Sequence, residues 1–168
     1  AIEVMRDFVE AQEDYAEADP TRSGVRQYAQ RMVSTKGQKD GLYWPTAGDE
    51  EAPSPLGELA AAAVKEGYGD TDPSKAEPFH GYFYRMLKGQ GSNAPGGARS
   101  YVLDGRMTGG FAFVAWPADY ANSGVKSFIV DEQGIVFEKD LGRDTEKVVA
   151  TITEYDQDDS WQPVEETD

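Results

Sequence analysis

His80 is the one histidine in the sequence, and no cysteine is present, so imidazole chemistry depends on this residue. An imidazole can act as a general base or bind a metal ion. Zinc would then need carboxylates as its other ligands. With Arg85, or with an acid such as Glu77 or Asp104, His80 could serve a hydrolase or a carbohydrate- or peptide-modifying enzyme. The alternative is a strand-end residue hydrogen-bonded to the backbone.

Acidic residues near the C-terminus offer a candidate cation site. Asp156, Asp158 and Asp159 lie in one short segment. Calcium accepts six to eight oxygen ligands, which irregular acidic loops can supply. A second acidic group flanks the predicted final hairpin and contains Asp131, Glu132, Asp140 and Asp144. Neither group matches the twelve-residue calcium loop. The sequence therefore leaves two interpretations, a calcium site at residues 156, 158 and 159 or a solvated acidic face.

Aromatic residues could line a binding groove. Strand alternation over residues 81–87 places Tyr82 and Tyr84 on one face of a sheet and Arg85 on the other. Together with Trp116, these residues are the candidates for binding a small polar ligand. The alternative is that the aromatic rings form the core between the sheet and the elements that cover it.

The segment GQGSNAPGG, residues 89–97, could bind phosphate through its backbone amides. It lacks the lysine and hydroxyl residues that end a phosphate-binding loop, and no helix start follows it. A turn in which the backbone passes close to another segment is the favoured interpretation. Arg85, Arg99 and Arg106 could form a cationic spot for a carboxylate, or they could each pair with local acids.

Composition limits the classes of partner. The 168 residues include 31 acidic and 16 basic side chains, which gives a net charge of −15. Nucleic acids and anionic membranes are disfavoured, because neutralising phosphates requires many cations. The longest apolar run, residues 59–64, is far shorter than the roughly 20 residues that span a bilayer. The length is typical of one domain covering residues 1–168. Because the sequence starts at Ala1, directly in a helical pattern and without an initiator Met, we expect an upstream segment, either a secretory signal or a membrane anchor, that was removed by processing or left out of the sequence given.

The first part of the chain has helical patterns. Apolar residues recur at helical spacing over residues 2–15, and a helix there should end near Asp19, before a proline. The spacing over residues 25–33 predicts a second, short helix, followed by a loop over residues 34–53. Ser54, followed by proline, predicts the start of a third helix that closes at Gly67.

A polar linker over residues 69–78 separates these helices from strand-like patterns. A long strand is predicted over residues 81–88, a tight turn at Asp104 and Gly105, and a hairpin around residues 131–134. We therefore expect an α+β fold with the N-terminal helices packed on one face of an antiparallel sheet. The expected parts are a mainly helical region (1–67), the sheet (79–141), a terminal helix (144–153) and an acidic tail (156–168) that is loosely held apart from Trp161.

Six segments together carry a family resemblance: KDGLYWP (39–45), SPLGELAAAA (54–63), FHGYFYRML (79–87), APGGARSYV (94–102), MTGGFAFVAWPADY (107–120) and SGVKSFIVDEQGIVFEKDLG (123–142). The sequence resembles the bacterial family catalogued as domain of unknown function 2950, from its first residue to about Pro163. This resemblance implies an exported protein of Gram-negative bacteria, periplasmic or secreted, and brings no established activity. A more distant similarity to pilin-like pseudopilin headpieces implies a helix lying across an antiparallel sheet.

These observations lead to a functional hypothesis. We expect an exported, non-enzymatic binding or assembly module of the cell envelope, whose partner is an envelope protein or a small polar ligand. No cofactor is expected apart from the calcium alternative, and no membrane span is expected within the sequence given. The competing hypothesis is an envelope enzyme centred on His80 and Arg85.

Overall fold

The computed structural model describes residues 1–35, 37–45, 54–65 and 76–164, with the side chains of residues 58 and 59 excepted. The helices of the described chain are α1 (Ile2–Ala18), α2 (Glu58–Ala62) and α3 (Thr145–Ala150). Its strands are β1 (Arg31–Val33), β2 (Gly41–Tyr43), β3 (Tyr82–Leu87), β4 (Gly89–Gln90), β5 (Arg99–Ser100), β6 (Val102–Leu103), β7 (Arg106–Met107), β8 (Ala112–Pro117), β9 (Lys126–Asp131), β10 (Phe137–Asp140) and β11 (Gln162–Pro163).

A five-stranded sheet in the order β11-β10-β9-β8-β3 forms the centre of the fold, and every neighbouring pair in it is antiparallel. All residues of β8 are buried, which explains why this strand reads as an almost continuous apolar run. The α+β class and the antiparallel sheet predicted from the sequence are therefore confirmed. The predicted strand over residues 81–88 corresponds to β3.

α1 covers one face of the sheet. The ring of Phe8 lies 5.1 Å from the rings of both Tyr84 and Phe113, and Met86 pairs with Phe113 across the β3–β8 ladder. Side chains alternate along a strand, so Arg85 belongs to the opposite face. Arg85 contacts the C-terminal end of α3, which therefore packs on that second face. We call the two surfaces the α1 face and the α3 face.

α1 forms as predicted because its apolar residues recur on one side of the helix. It ends at Asp19, whose φ of 47° is left-handed and whose N–H donates to Tyr15 O at 3.1 Å. The Asp19 carboxylate accepts hydrogen bonds from Ser23 and from the backbone N–H of Gly24. These bonds fold the chain back along the helix after its end.

The predicted helix over residues 25–33 is wrong. Tyr28 pairs with Met107, where its N–H donates to Met107 O at 2.9 Å, and β1 then pairs in parallel with β2. The predicted loop over residues 34–53 likewise contains β2, and residues 46–53 lie outside the described residues. The mainly helical first part thus includes two strands. Apolar spacing over so short a segment does not distinguish a helix from extended chain, and distant pairing decides between them.

α2 starts later than predicted. The Ser54 hydroxyl donates to Leu56 O at 2.8 Å instead of capping a helix, and Gly57 is the N-cap. The N–H of Leu56 donates to Leu42 O at 2.9 Å, which holds the segment extended against β2. After α2, the backbone of Ala63 and Lys65 pairs with Tyr84 at the outer edge of β3. The predicted closure at Gly67 and most of the predicted linker lie outside the described residues.

Several local predictions are confirmed. Asp104 and Gly105, with φ of 52° and 77°, form the tight turn between β6 and β7. The hairpin around residues 131–134 joins β9 to β10, and the terminal helix is α3. Trp161, the expected exception in the acidic tail, is 8% exposed, and β11 in the same tail extends the sheet. Just before the tail, Tyr155 pairs with β4 and is buried.

Candidate functional site

His80 lies in a tight turn at the start of β3. Its φ is 53° and that of Gly81 is 80°, and the turn is closed by hydrogen bonds of 3.0 and 3.2 Å between the backbones of Phe79 and Tyr82. Positive φ at both central residues is the pattern of a type I′ turn. The side chain is exposed and its ring lies 4.2 Å from that of Phe79. His80 thus lies at the strand end, but within the described residues its imidazole forms no hydrogen bond to the backbone.

Arg85 contacts α3 rather than His80. Its Nη2 donates to Val149 O at 2.9 Å and to Ile152 O, and its guanidinium lies 5.8 Å from the ring of Trp116. A strand rises about 3.3 Å per residue, so Arg85 lies about 10 Å along β3 from Tyr82, which closes the His80 turn. Arg85 therefore caps the C-terminal end of α3, where it adds a charged donor to Val149 O, which also accepts from Ile152 N at 2.9 Å, and to Ile152 O.

The four predicted ligand-binding residues do not share a surface. Tyr82, Tyr84 and Trp116 are 7%, 0% and 4% exposed, and Trp116 and Arg85 belong to the α3 face. The Tyr82 hydroxyl donates to Lys126 O at 2.8 Å, and the Tyr84 hydroxyl donates to a backbone oxygen at 3.0 Å. Burial raises the pKa of both tyrosines. These residues form the core, which was the alternative interpretation of the aromatic pattern.

The three aspartates of the predicted calcium site are not gathered around one point. Asp156 accepts hydrogen bonds from the backbone and side chain of Asn93, at 2.9 and 3.2 Å. Asp158 accepts from the N–H of Ser160 at 2.8 Å and from its hydroxyl, and these bonds lower the Asp158 pKa. Among the described residues, no three or more histidine or acidic side chains are placed to hold a metal ion. The structure therefore does not support calcium at Asp156, Asp158 and Asp159.

The glycine-rich segment folds around Gln90. This buried side chain donates from Nε2 to Pro95 O at 2.7 Å and to Gly97 O at 2.8 Å, and accepts from the Tyr101 hydroxyl at 3.1 Å. One of its backbone amides, the N–H of Asn93, donates to the Asp156 carboxylate, so this N–H is not free to bind a phosphate. Arg99 pairs with Glu132 at 2.9 Å. For this arginine the structure therefore shows pairing with an acid, which was the alternative to a cationic spot. The segment is a structural turn that contains β4.

A polar cleft of about 410 Å³ lies where the end of α1 meets the start of β1 and the end of β3. Five of its hydrogen-bond donors come from two separate segments, residues 27–31 and the end of β3. They are Gln27, Tyr28, Gln30, Arg31 and Lys88. Tyr15, Thr21 and Asp40 complete the lining. We call this site the polar cleft.

The carboxylate of the polar cleft is already bound. Asp40 accepts 2.7 Å hydrogen bonds from the backbone N–H and the hydroxyl of Thr35. The same hydroxyl accepts from Arg31 Nη1 at 2.9 Å, so Thr35 joins Arg31 to Asp40. Gln30 Nε2 donates to Gly105 O at 2.8 Å, which fixes its amide on the β6–β7 turn. These bonds hold the side chains of the cleft in place before any ligand enters.

Two tyrosines form the less polar part of the lining. The Tyr28 ring meets that of Phe111 edge-on at 4.7 Å, and the Tyr15 hydroxyl donates to Lys39 O at 3.2 Å. Burial raises the pKa of Tyr28, and burial together with the charge of Asp40 raises that of Tyr15 to about 12. Both phenols therefore stay protonated at neutral pH and act as neutral hydrogen-bonding groups.

Lys88 is the cation of the cleft with the fewest local partners. Its side chain is exposed and forms no ion pair within the part of the chain that the structure describes, whereas its backbone oxygen accepts from Tyr101 N at 2.9 Å. Sequence reasoning missed this site. Arg31 and Lys88 are far apart in the chain and belong to no motif, so only the fold brings them to one cleft.

These elements define an α+β protein with a helix on each face of an antiparallel sheet and a polar cleft at the end of the first helix. The chain belongs to the family described as protein of unknown function (DUF2950), whose model matches residues 1–164. No curated protein and no solved structure matches the chain. The pilin-like architecture thus stays a prediction. No helix within the described ranges is long and apolar enough to cross a membrane.

Proposed function

We propose that this protein is an exported binding module of the cell envelope, and that its polar cleft holds a small polar ligand bearing a carboxylate. The observation that carries the proposal is the position of Lys88 and Arg31 in one cleft of a chain with a net charge of −15. The cleft sets these two cations against one carboxylate, Asp40, so its lining carries a net positive charge and favours an anion more than the acidic protein as a whole does.

The size and chemistry of the polar cleft support a small ligand. Its volume of about 410 Å³ falls within the range of roughly 300–1,000 Å³ that is typical of small-molecule sites. Amide groups of Gln27 and Gln30 can hydrogen-bond hydroxyl groups, and the tyrosine rings offer apolar surface. A sugar acid or a hydroxy acid combines these features with the carboxylate that Lys88 attracts.

A binding role is favoured over a catalytic one by the groups in the lining. The cleft contains no histidine, and the Asp40 carboxylate is held by Thr35 rather than pointed at a nucleophile. His80 lies in the turn before β3 and does not line the cleft. General acid–base catalysis needs a group within hydrogen-bond reach of the substrate.

Location in the periplasm or outside the cell is part of this proposal. It is supported by the family resemblance described for the sequence, and α1 lying across the sheet is compatible with a pilin-like headpiece. Fractionation of cells that express the native gene would test it. Recovery with periplasmic or secreted markers is expected, and recovery with cytoplasmic markers would contradict it.

The binding proposal can be tested by thermal melting with glucuronate, citrate and succinate, using glucose as the neutral comparison. A ligand at a hundred times its Kd stabilises the native state by about 2.7 kcal/mol, or about 5–10 °C for a domain of this size. We expect an acid to raise Tm in the wild type and in Lys147→Met, but not in Lys88→Met. A shift kept in Lys88→Met, or no shift with any acid, would contradict the proposal.

A further inference from the structure

A second depression lies between α1 and residues 55–60, which we call the α2 segment. Its volume is about 560 Å³. Its apolar lining includes Phe8, Ala11 and Leu56, which are 0%, 2% and 4% exposed, and the half-buried Phe79. We call it the α1 groove. It is separate from the polar cleft, with which it shares no lining residue.

Three carboxylates line the groove together with the apolar side chains. Asp7, Glu10 and Asp14 follow one another at spacings of three and four residues, so they form a row along one side of α1. The row extends over about 10 Å, because a helix rises about 1.5 Å per residue. It runs beside the apolar row that contains Phe8 and Ala11.

Within the part of the chain that the structure describes, the acids of the groove form no ion pair, unlike two other acids of the same helix. Glu3 pairs with Arg6 at 3.1 Å, and Glu13 pairs with Arg26 at 2.8 Å. In contrast, the three groove acids are exposed and form no ion pair within the described ranges of the chain. Among the described residues, the groove therefore combines a narrow apolar lining with a rim of exposed carboxylates that form no ion pair.

We infer that the α1 groove docks a cationic amphipathic segment of a partner protein, with an apolar side chain in the groove and lysine or arginine against the acidic row. Exposed ion pairs contribute little affinity each, so the apolar contact supplies binding free energy while the charges select the partner and speed its approach. A second copy of this chain is disfavoured, because each copy carries a charge of −15.

The test uses a short fluorescein-labelled peptide with leucine at positions i, i+3, i+4 and i+7 and lysine elsewhere, followed by fluorescence anisotropy with the whole chain. A leucine/glutamate peptide and a serine/lysine peptide are the controls for charge and for apolar contact. We expect only the leucine/lysine peptide to bind tightly, and its affinity to fall as NaCl rises from about 50 to about 500 mM.

Two sets of variants locate the binding. Asp7→Asn, Glu10→Gln and Asp14→Asn combined should weaken binding by about tenfold. The matched control combines Asp144→Asn, Glu154→Gln and Asp159→Asn, which remove the same charge from exposed positions outside the groove. It should keep the affinity within about twofold, apart from the small effect of net charge.

A variant that narrows the groove gives a second, independent test of peptide binding. Gly57 lines the groove, and a Cβ atom there meets no atom within 4 Å, so Gly57→Leu adds an apolar side chain at the wall of the groove without a clash at its Cβ. It should abolish peptide binding, whereas Gly57→Asn, a good N-cap residue, should retain it. The inference is overturned if the two charge variants lose affinity equally, if the serine/lysine peptide binds as well, or if no peptide binds. The charge variants decide the matter if Gly57→Leu does not fold.

Discussion

The side-chain amide of Gln12 binds both backbone groups of Ala29. Gln12 Nε2 donates to Ala29 O at 3.0 Å, and Gln12 Oε1 accepts from Ala29 N at 2.8 Å. Both residues are almost fully buried. The amide thus acts as a strand partner and ties α1 to the segment that supplies Gln27, Tyr28 and Gln30 to the polar cleft.

Replacing this amide should destabilise the protein. Gln12→Leu keeps a similar volume but leaves the N–H and C=O of Ala29 buried without partners, which should lower the free energy of unfolding by about 2–4 kcal/mol. Denaturant unfolding measures the change. Gln133→Leu, at an exposed position, is the control and should stay within about 0.5 kcal/mol. Equal stability of the two variants would show that the Gln12 bonds contribute little.

Asp131 should make the protein less stable as pH rises. Burial raises its pKa, despite a hydrogen bond from the N–H of Gln133, while Glu132 raises it further and Arg99 lowers it. The native state then binds a proton more tightly than the unfolded state, so the stabilisation present at low pH is lost as pH rises through the native pKa. Asp131→Asn should be more stable than the wild type at pH 7, and unfolding midpoints between about pH 3 and pH 7 measure this.

The control for Asp131 is Asp19, whose pKa is lowered in the native state instead of raised. Hydrogen bonds from Gly24 and Ser23 lower the pKa of Asp19, so its stabilisation is present at neutral pH and is lost as pH falls through the native pKa. Asp19→Asn tolerates the same left-handed backbone but should be less stable than the wild type at pH 7. If the two asparagine variants shift stability in the same direction, the account of Asp131 is wrong.

Arg85 is expected to act on stability and not on binding. Arg85→Met removes the hydrogen bonds to Val149 O and Ile152 O and should cost about 1–3 kcal/mol, with faster amide exchange in α3. Arg143→Met, at an exposed site beside α3, is the control. Acid binding in the polar cleft should be unchanged in both variants, and a loss of binding in Arg85→Met alone would assign Arg85 to a ligand site.

The stability of the protein is expected to depend on the left-handed backbone at position 80 and not on the imidazole of His80. Its φ of 53° is tolerated by asparagine but costs a β-branched residue about 1–2 kcal/mol. Thermal melting should therefore place His80→Asn close to the wild type and His80→Val clearly below it. A loss in His80→Asn as large as in His80→Val would mean that the imidazole itself is needed.

Local signals in the sequence predicted much of the fold. The period of apolar residues identified α1, and alternation identified β3, because both patterns depend on residues close in sequence. Asp104 and Gly105 identified a turn because positive φ restricts residue type. The His80 turn uses the same backbone geometry with a less favourable residue, so it was seen only as a strand end.

Pairing between distant segments explains the failures. Residues 25–33 are extended because Gln12 and Met107 bind their backbone, and no local pattern reports this. The glycines and prolines of residues 34–53 predict a loop, although Leu42 and its aromatic neighbours favour a strand, and pairing with β1 makes this part β2. The polar cleft was missed for the same reason, because Arg31 and Lys88 meet only in the fold.

The central claim is that the polar cleft, with Lys88, binds a small acidic ligand. The most direct measurement is amide chemical-shift mapping by NMR during titration with the acid that raises Tm most. We predict that the shifted amides cluster at residues 27–31 and at Lys88, and that Lys88→Met removes the shifts while Lys147→Met retains them. Shifts centred on the α1 groove, or spread evenly over the surface, would contradict the claim.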